Sequence, residues 1–182
     1  GYSSAASDVY KRQIQRVSGS LTDNYNPRNK TLNLSDSVYN STSVAAIGVA
    51  AHETGHAIQH AYGYGPLSFR TALFPLASVG SQVSWILIVL GLIFGSTNIL
   101  IDIGILMFSL AVLFQLVTLP VEFNASARAL QLLESEGFLY GDENRQARKV
   151  LSAAAMTYVA AAATAILQLL RLIYLFGGRR RD

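Results

Sequence analysis

The chain has 182 residues and no cysteine, which excludes a disulfide framework and thiol chemistry. Its formal net charge of +3 is modest, and the arginines are dispersed apart from Arg179-Arg180-Arg181, so nothing supports nucleic-acid binding. At 51% hydrophobic and only 14% charged, with a positive mean hydropathy, it lies outside the usual composition of a soluble domain.

In chain order, Arg16-Val17-Ser18 and Thr31-Leu32-Asn33-Leu34 read as short strands. Asn26-Pro27-Arg28-Asn29 between them is a turn signal, so a short N-terminal β-hairpin is expected. An exposed edge of that pair is able to take an extended peptide as an added strand; equally, the pair merely caps the helix that follows. That helix is expected over roughly residues 43–62, in SVAAIGVAAHETGHAIQHAYGYGP. Ser41, Thr42 and Ser43 are candidate N-caps, and Gly63, Gly65 and Pro66 supply the stop. Small and apolar residues from Val44 to Ala51 let neighbouring elements pack closely and keep the surroundings dry.

Within this helix lies His52-Glu53-Thr54-Gly55-His56. Positions four apart lie one above the other on a helix, so both imidazoles can reach one metal ion. Glu53 sits one residue round the turn, where its carboxylate flanks the ion. This is the H-E-x-x-H arrangement, with two nitrogen ligands for zinc and one general base. Two unrelated core histidines and a stray glutamate fit poorly, because all three histidines fall at positions 52, 56 and 60.

A catalytic zinc usually has three protein ligands and an open position. His60 fails as the third on geometry. It lies about 12 Å beyond His52 along an unbroken helix, whereas zinc–nitrogen bonds are about 2 Å. It reads instead as a surface residue or one that hydrogen-bonds a ligand. Glu122, in TLPVEFNASARALQLLESEG, is a better candidate. It follows a long uncharged run and Pro120 and opens a new helical pattern, and a carboxylate in apolar surroundings needs a partner. A divalent cation is one such partner. Pairing with Arg128, or a place in the first turn favoured by the helix dipole, is the other reading, and spacing does not choose between them.

Residues 71–101 and 103–121 contain no charged side chain. Together they exceed two spans of about 20 residues each. Gly95-Ser96-Thr97-Asn98 is the turn between them, giving a membrane hairpin of two helices over about 70–94 and 99–120. Residues 128–149 mix charges with Gly137 and Gly141, and their first half reads as an amphipathic helix. A third apolar segment, 150–176, either spans, with Arg171 reaching the interface, or is a buried helix. The hairpin returns the chain to the side it left, so the His52 helix and Glu122 can meet at one membrane face. Basic residues gather on that side, at Arg16, Arg28, Lys30, Arg70, Arg128, Arg145, Arg148 and Lys149. The positive-inside rule turns it to the cytoplasm, although the arginine tail argues the other way. Tyr25, Tyr39, Tyr62, Tyr140 and Tyr158 are candidates to stabilise an oxyanion, and spacing singles out none of them.

The block LTDNYNPRNKTLNLSDSVYNSTSVAAIGVAAHETGHAIQHA, with the later PVEFNASARA, resembles the bacterial membrane-bound neutral zinc metallopeptidases of the YugP-like family. The resemblance runs from about Val17 to the C-terminus. It implies that His52 and His56 bind zinc and that Glu53 activates water. The segment E-F-N-A-S is also similar to the E-x-x-A-D of membrane-embedded peptidases of the HtpX type, whose first glutamate is the third ligand; this maps to Glu122. Ser126 stands where those relatives have aspartate, and Asn124 and Ser126 remain able to hydrogen-bond a histidine ligand. Residues 1–13 do not resemble the family and read as a cloning or translation scar. The resemblance implies an apolar segment at that end, so the chain is expected to be a fragment.

The expectation is therefore a mainly α, integral membrane helical protein with a zincin-like active-site helix. Residues 14–182 form one domain: hairpin and zinc helix at 14–65, membrane hairpin at 66–120, third-ligand helix and loop at 121–149, and a C-terminal membrane helix with basic tail at 150–182. Its expected function is that of a bacterial cell-membrane endopeptidase with one zinc ion, its partners the bilayer and protein or peptide substrates that include membrane proteins. The alternatives are a membrane zinc carrier, and a non-catalytic protein in which zinc only holds the fold. Carriers tend to place such ligands at mid-bilayer, whereas this motif precedes the first span, and an intact Glu53 counts against a purely structural ion.

Overall fold

The computed structural model describes residues 13–94 and 98–177. Most of the expected scar, three residues of the Gly95–Asn98 turn and the basic tail lie outside the described residues.

Three short strands open the fold: β1 (Gln13–Val17), β2 (Asn24–Asn26) and β3 (Thr31–Ser35), in the order β1-β3-β2. The hairpin about Pro27 is made by β2 and β3, which pair antiparallel with Tyr25 opposite Leu32. Lys30 closes that turn with φ of 56°. The strand around Arg16 is β1, and it joins β3 in parallel on the other side, with Ile14 opposite Leu32 and Arg16 opposite Leu34. Parallel partners need a crossover. Here the crossover is short and is anchored by Asp23, whose carboxylate accepts from the Ser35 amide at 2.7 Å and the Ser35 hydroxyl at 2.9 Å. Leu32 and Leu34 are buried, as is Ser35.

A single turn, α1 (Asp36–Tyr39), leads to α2 (Val44–Ala61). Ser43 caps α2, its hydroxyl accepting from the Ala46 amide at 3.2 Å. The helix stops at Tyr62, before Gly63 at φ 63°. Three long helices follow: α3 (Gly65–Phe94), α4 (Asn98–Ser135) and α5 (Asp142–Phe176). Gly137 and Gly141, both at positive φ, make the turn between α4 and α5. Where the sequence predicts a new helical pattern after Pro120, α4 instead continues through that residue. Proline removes one backbone donor but does not forbid the helix when packing fixes its course. Val121, Ala125 and Ala129, just beyond it, are completely buried.

The chain forms two compact units. The first holds the residues up to Leu67 and 120–156, thus the sheet, α1, α2, the end of α4 and the start of α5. Its core is Ala51, Ala129, Leu133, Leu139, Ala147 and Leu151, with Val44, Ile47 and Leu130 packed against it. Alanine at the contact positions lets backbones come close. The second unit holds 68–119 and the chain from Thr157 on, around Ile88, Phe108, Val112 and Leu172. Gly104 sits against the Ser84 carbonyl and Ile88, where a side chain would not fit.

Helices α3, α4 and α5 are each long and apolar enough to cross a membrane. Ile86, Ile93, Phe94, Leu106, Leu167 and Leu170 are exposed rather than packed inside. The third apolar segment turns large side chains outward, as a lipid-facing helix does.

Candidate metal centre

Two helices of the first unit build the centre. The four-residue spacing on α2 stacks the imidazoles of His52 and His56, whose rings lie 4.8 Å apart, close to perpendicular. From α4, the Glu122 carboxylate inserts between them. Glu122 Oε2 is 3.1 Å from His52 Nε2 and 3.6 Å from His56 Nε2. All three ligand atoms lie within 4.8 Å of one another. Glu122 is 2% exposed and His56 8%, so both are shielded from water.

The crossing that brings these helices together is set by Gly55. A methyl group there would collide with the carbonyl oxygen of Ala125 and lie 3.0 Å from its carbonyl carbon. Backbone meets backbone at this point, and the contact falls one residue from His56 and three from Glu122.

Each imidazole is held from behind through Nδ1. His52 Nδ1 lies 3.1 Å from Ser126 Oγ, so the serine occupies the position at which the sequence comparison with wider relatives expects an acid. His56 Nδ1 lies 3.0 Å from Gln59 Oε1. Gln59 is completely buried, and its amide nitrogen donates to the Val121 carbonyl at 2.8 Å and to Asn124 Oδ1 at 3.0 Å. Asn124 therefore reaches His56 through Gln59, and it also accepts from Arg128 Nε at 2.8 Å. His60 is outside the three-residue group; its Nδ1 pairs with the Tyr25 hydroxyl at 2.8 Å. Tyr25, one of the five candidate tyrosines, is thus bonded through its hydroxyl to the helix that carries the motif.

Electrostatically the centre is a buried mixture of acid and base. Burial alone would depress the His56 pKa, but the Glu122 carboxylate and the charge of Glu53 outweigh it and hold the ring above the ordinary histidine value. Burial pushes the Glu53 carboxyl above the usual range. The charges of His56 and His52 pull it back, while Glu122 and Asp23 add to the rise. A buried carboxylate needs compensating positive charge. A divalent cation held between the two rings and the carboxylate would supply it.

The donor set fits such an ion. Two imidazole nitrogens and one carboxylate oxygen are zinc ligands, and tetrahedral bonds of 2.0–2.1 Å set neighbouring donors about 3.3 Å apart. The 3.1 and 3.6 Å separations bracket that value.

Beside the centre, a cavity of about 640 Å³ opens between α4 and α5. Phe123, Leu130, Leu151, Ala155 and Met156 line it, with Ser126 at its wall.

Gln59 is the residue that sequence reasoning overlooked. Its signal was available: it stands three residues after His56, on the same face of α2.

Among the described residues, three span-length helices and a largely buried His–His–Glu group define a class, a helical protein suited to a bilayer and able to hold a metal ion. The chain belongs to the family described as "Putative neutral zinc metallopeptidase", which matches residues 4–177. Over 168 residues it is 49% identical to the "Putative membrane protease YugP" of Bacillus subtilis (strain 168), an alignment covering 92% of this chain and 74% of that protein. No solved structure matches the chain.

Proposed function

We propose that this protein is a membrane-bound, zinc-dependent endopeptidase. The observation that carries this reading is the meeting of His52 and His56 of α2, which also bears the buried Glu53, with Glu122 of α4, their ligand atoms within 4.8 Å of one another. His52 and His56 through Nε2, and Glu122 through a carboxylate oxygen, would hold one zinc ion. When bound, that ion polarises a carbonyl and makes water acidic enough to act as a nucleophile near neutral pH.

The chain's own residues do the rest. Glu53 takes a proton from the attacking water and later delivers it to the departing amine. Burial raises its proton affinity, which suits a base that must hold a proton and then release it. Ser126 and Gln59 fix the imidazoles, so the ligands do not reorient during turnover. Substrates are peptides or proteins, including membrane proteins cut near the bilayer, because Glu122 lies on a helix that begins as an apolar span. The positive-inside count puts the centre on the cytoplasmic side of a bacterial cell membrane.

Glu53→Gln in the purified full chain tests the reading, with zinc content and casein cleavage measured together. A peptidase keeps its zinc and loses cleavage. Zinc flux into liposomes, with no cleavage by the unaltered chain, would instead identify a carrier. Zinc retained with neither activity would leave the ion a structural role only.

A further inference from the structure

Gln59 has a function that the H-E-x-x-H pattern does not contain. Its side-chain amide could in principle be placed with oxygen and nitrogen exchanged. Its partners remove that freedom. The Val121 carbonyl, 2.8 Å away, can only accept, so the atom facing it must be the nitrogen. The oxygen then faces His56 Nδ1 at 3.0 Å and must receive a proton from it. A neutral imidazole with its proton on Nδ1 has its lone pair on Nε2, the atom that faces Glu122.

We infer that Gln59 is the positioning residue of the centre: by accepting from Nδ1 of His56 while anchored to the backbone of α4, it fixes both the tautomer and the plane of that ring, so that Nε2 is the nitrogen offered to the metal. This rests on the reading of His52, His56 and Glu122 as a metal site, but not on that site being hydrolytic. The anchoring has a directional basis. Val121 precedes Glu122, so one amide ties the second histidine of α2 to the stretch of α4 that carries the third ligand. Asn124 adds a second acceptor at 3.0 Å and is itself held by Arg128, so the amide cannot turn without breaking two bonds. His52 has no equivalent constraint on its tautomer from Ser126, because a hydroxyl donates or accepts. The two histidines are therefore unequal, and His56 is the one whose metal-facing atom is predetermined.

The test uses the full chain in detergent, loaded with zinc and labelled with 15N-histidine. In the unaltered protein, proton–nitrogen correlation spectra should find the His56 proton on Nδ1 and the metal on Nε2; the reverse assignment overturns the inference without any variant. Zinc affinity is then measured by chelator competition for Gln59→Met and Gln59→Glu. Methionine keeps the length but offers no comparable acceptor, and affinity should fall about 10- to 100-fold. Glutamate keeps the oxygen acceptor for Nδ1 but has no donor for Val121, so it should recover only part of that loss. If Gln59→Met folds and binds zinc as the unaltered chain does, Gln59 is packing alone. Failure of the unaltered chain to bind zinc would overturn the metal reading and this inference with it. Binding with the expected Gln59 effects but no cleavage would overturn only the peptidase reading.

Discussion

Gly55→Ala examines the closest approach in the centre, and Gly48→Ala on the same helix is its control. An added Cβ at Gly55 collides with the Ala125 oxygen and lies 3.0 and 3.1 Å from the Ala125 carbonyl carbon and Cα. Ordinary carbon contacts are about 3.5–4.0 Å, so α2 and α4 must part by roughly 0.5–1 Å. Overpacking of this kind costs about 1–3 kcal/mol, and the neighbour here is backbone, which yields least. Replacing glycine by alanine in a helix returns about 1 kcal/mol, leaving a net loss of up to about 2 kcal/mol. At Gly48 the added Cβ meets only the Ala147 methyl at 3.9 Å, an ordinary contact. That variant should gain up to about 1 kcal/mol. Separating the helices also draws Glu122 away from the histidines, and zinc affinity should fall about tenfold or more. Denaturant unfolding in detergent and chelator competition read both effects. A Gly55→Ala protein as stable as Gly48→Ala, with undiminished zinc affinity, would refute the crossing described here.

Two further outcomes follow from the same side chains. Glu53 and His56 both have pKa values raised in the folded chain, so each favours folding in its protonated form. Without metal, the contribution of Glu53 should be present below the ordinary glutamate value of about 4.3 and be lost as pH rises through its folded pKa, and that of His56 should be lost as pH rises above about 6.5 through its own. Thermal midpoints in chelator across this range check the sign; Glu53→Gln should remove the more acidic part of the decline, and a midpoint that climbs with pH contradicts the assignment. Asp23→Ala should cost about 1–3 kcal/mol, because the amide and hydroxyl of buried Ser35 lose their acceptor, whereas Asp23→Asn, keeping one oxygen, should cost less. Equal losses for the two variants, measured by unfolding, would exclude the clamp.

The parts legible in the sequence are those written in local spacing. Four residues between histidines place both rings on one helix face, uncharged runs mark the long helices, and Ser43 with Gly63 brackets α2. Glu122 was half legible. Its apolar surroundings asked for a partner, but spacing could not choose between a cation and Arg128; in the structure its carboxylate lies against the histidines while Arg128 bonds Asn124. The parallel pairing of β1 with β3 left no local trace, because turn signals describe neighbours in sequence and this pair spans the intervening β2. The run of α4 through Pro120 was hidden for the opposite reason. A local breaker signal is overridden there by packing that no window of the sequence contains.

Distance and orientation in this centre are set by different devices. Gly55 against Ala125 sets how far α2 stands from α4, a backbone contact with no hydrogen bond in it. Gln59 sets which way the His56 ring faces, through one bond to that ring within α2 and an anchor to Val121 on α4. Perturbing one should leave the other readable. In Gly55→Ala the His56 proton should stay on Nδ1 although affinity falls, since Gln59 moves with α2 and keeps its bond to that ring while its bonds to Val121 and Asn124 on α4 lengthen. In Gln59→Met the helices keep their separation, so the loss of affinity comes with a redistributed proton and little change at Gly55. A centre held only by general packing would not separate in this way, because any loosening would shift distance and tautomer together.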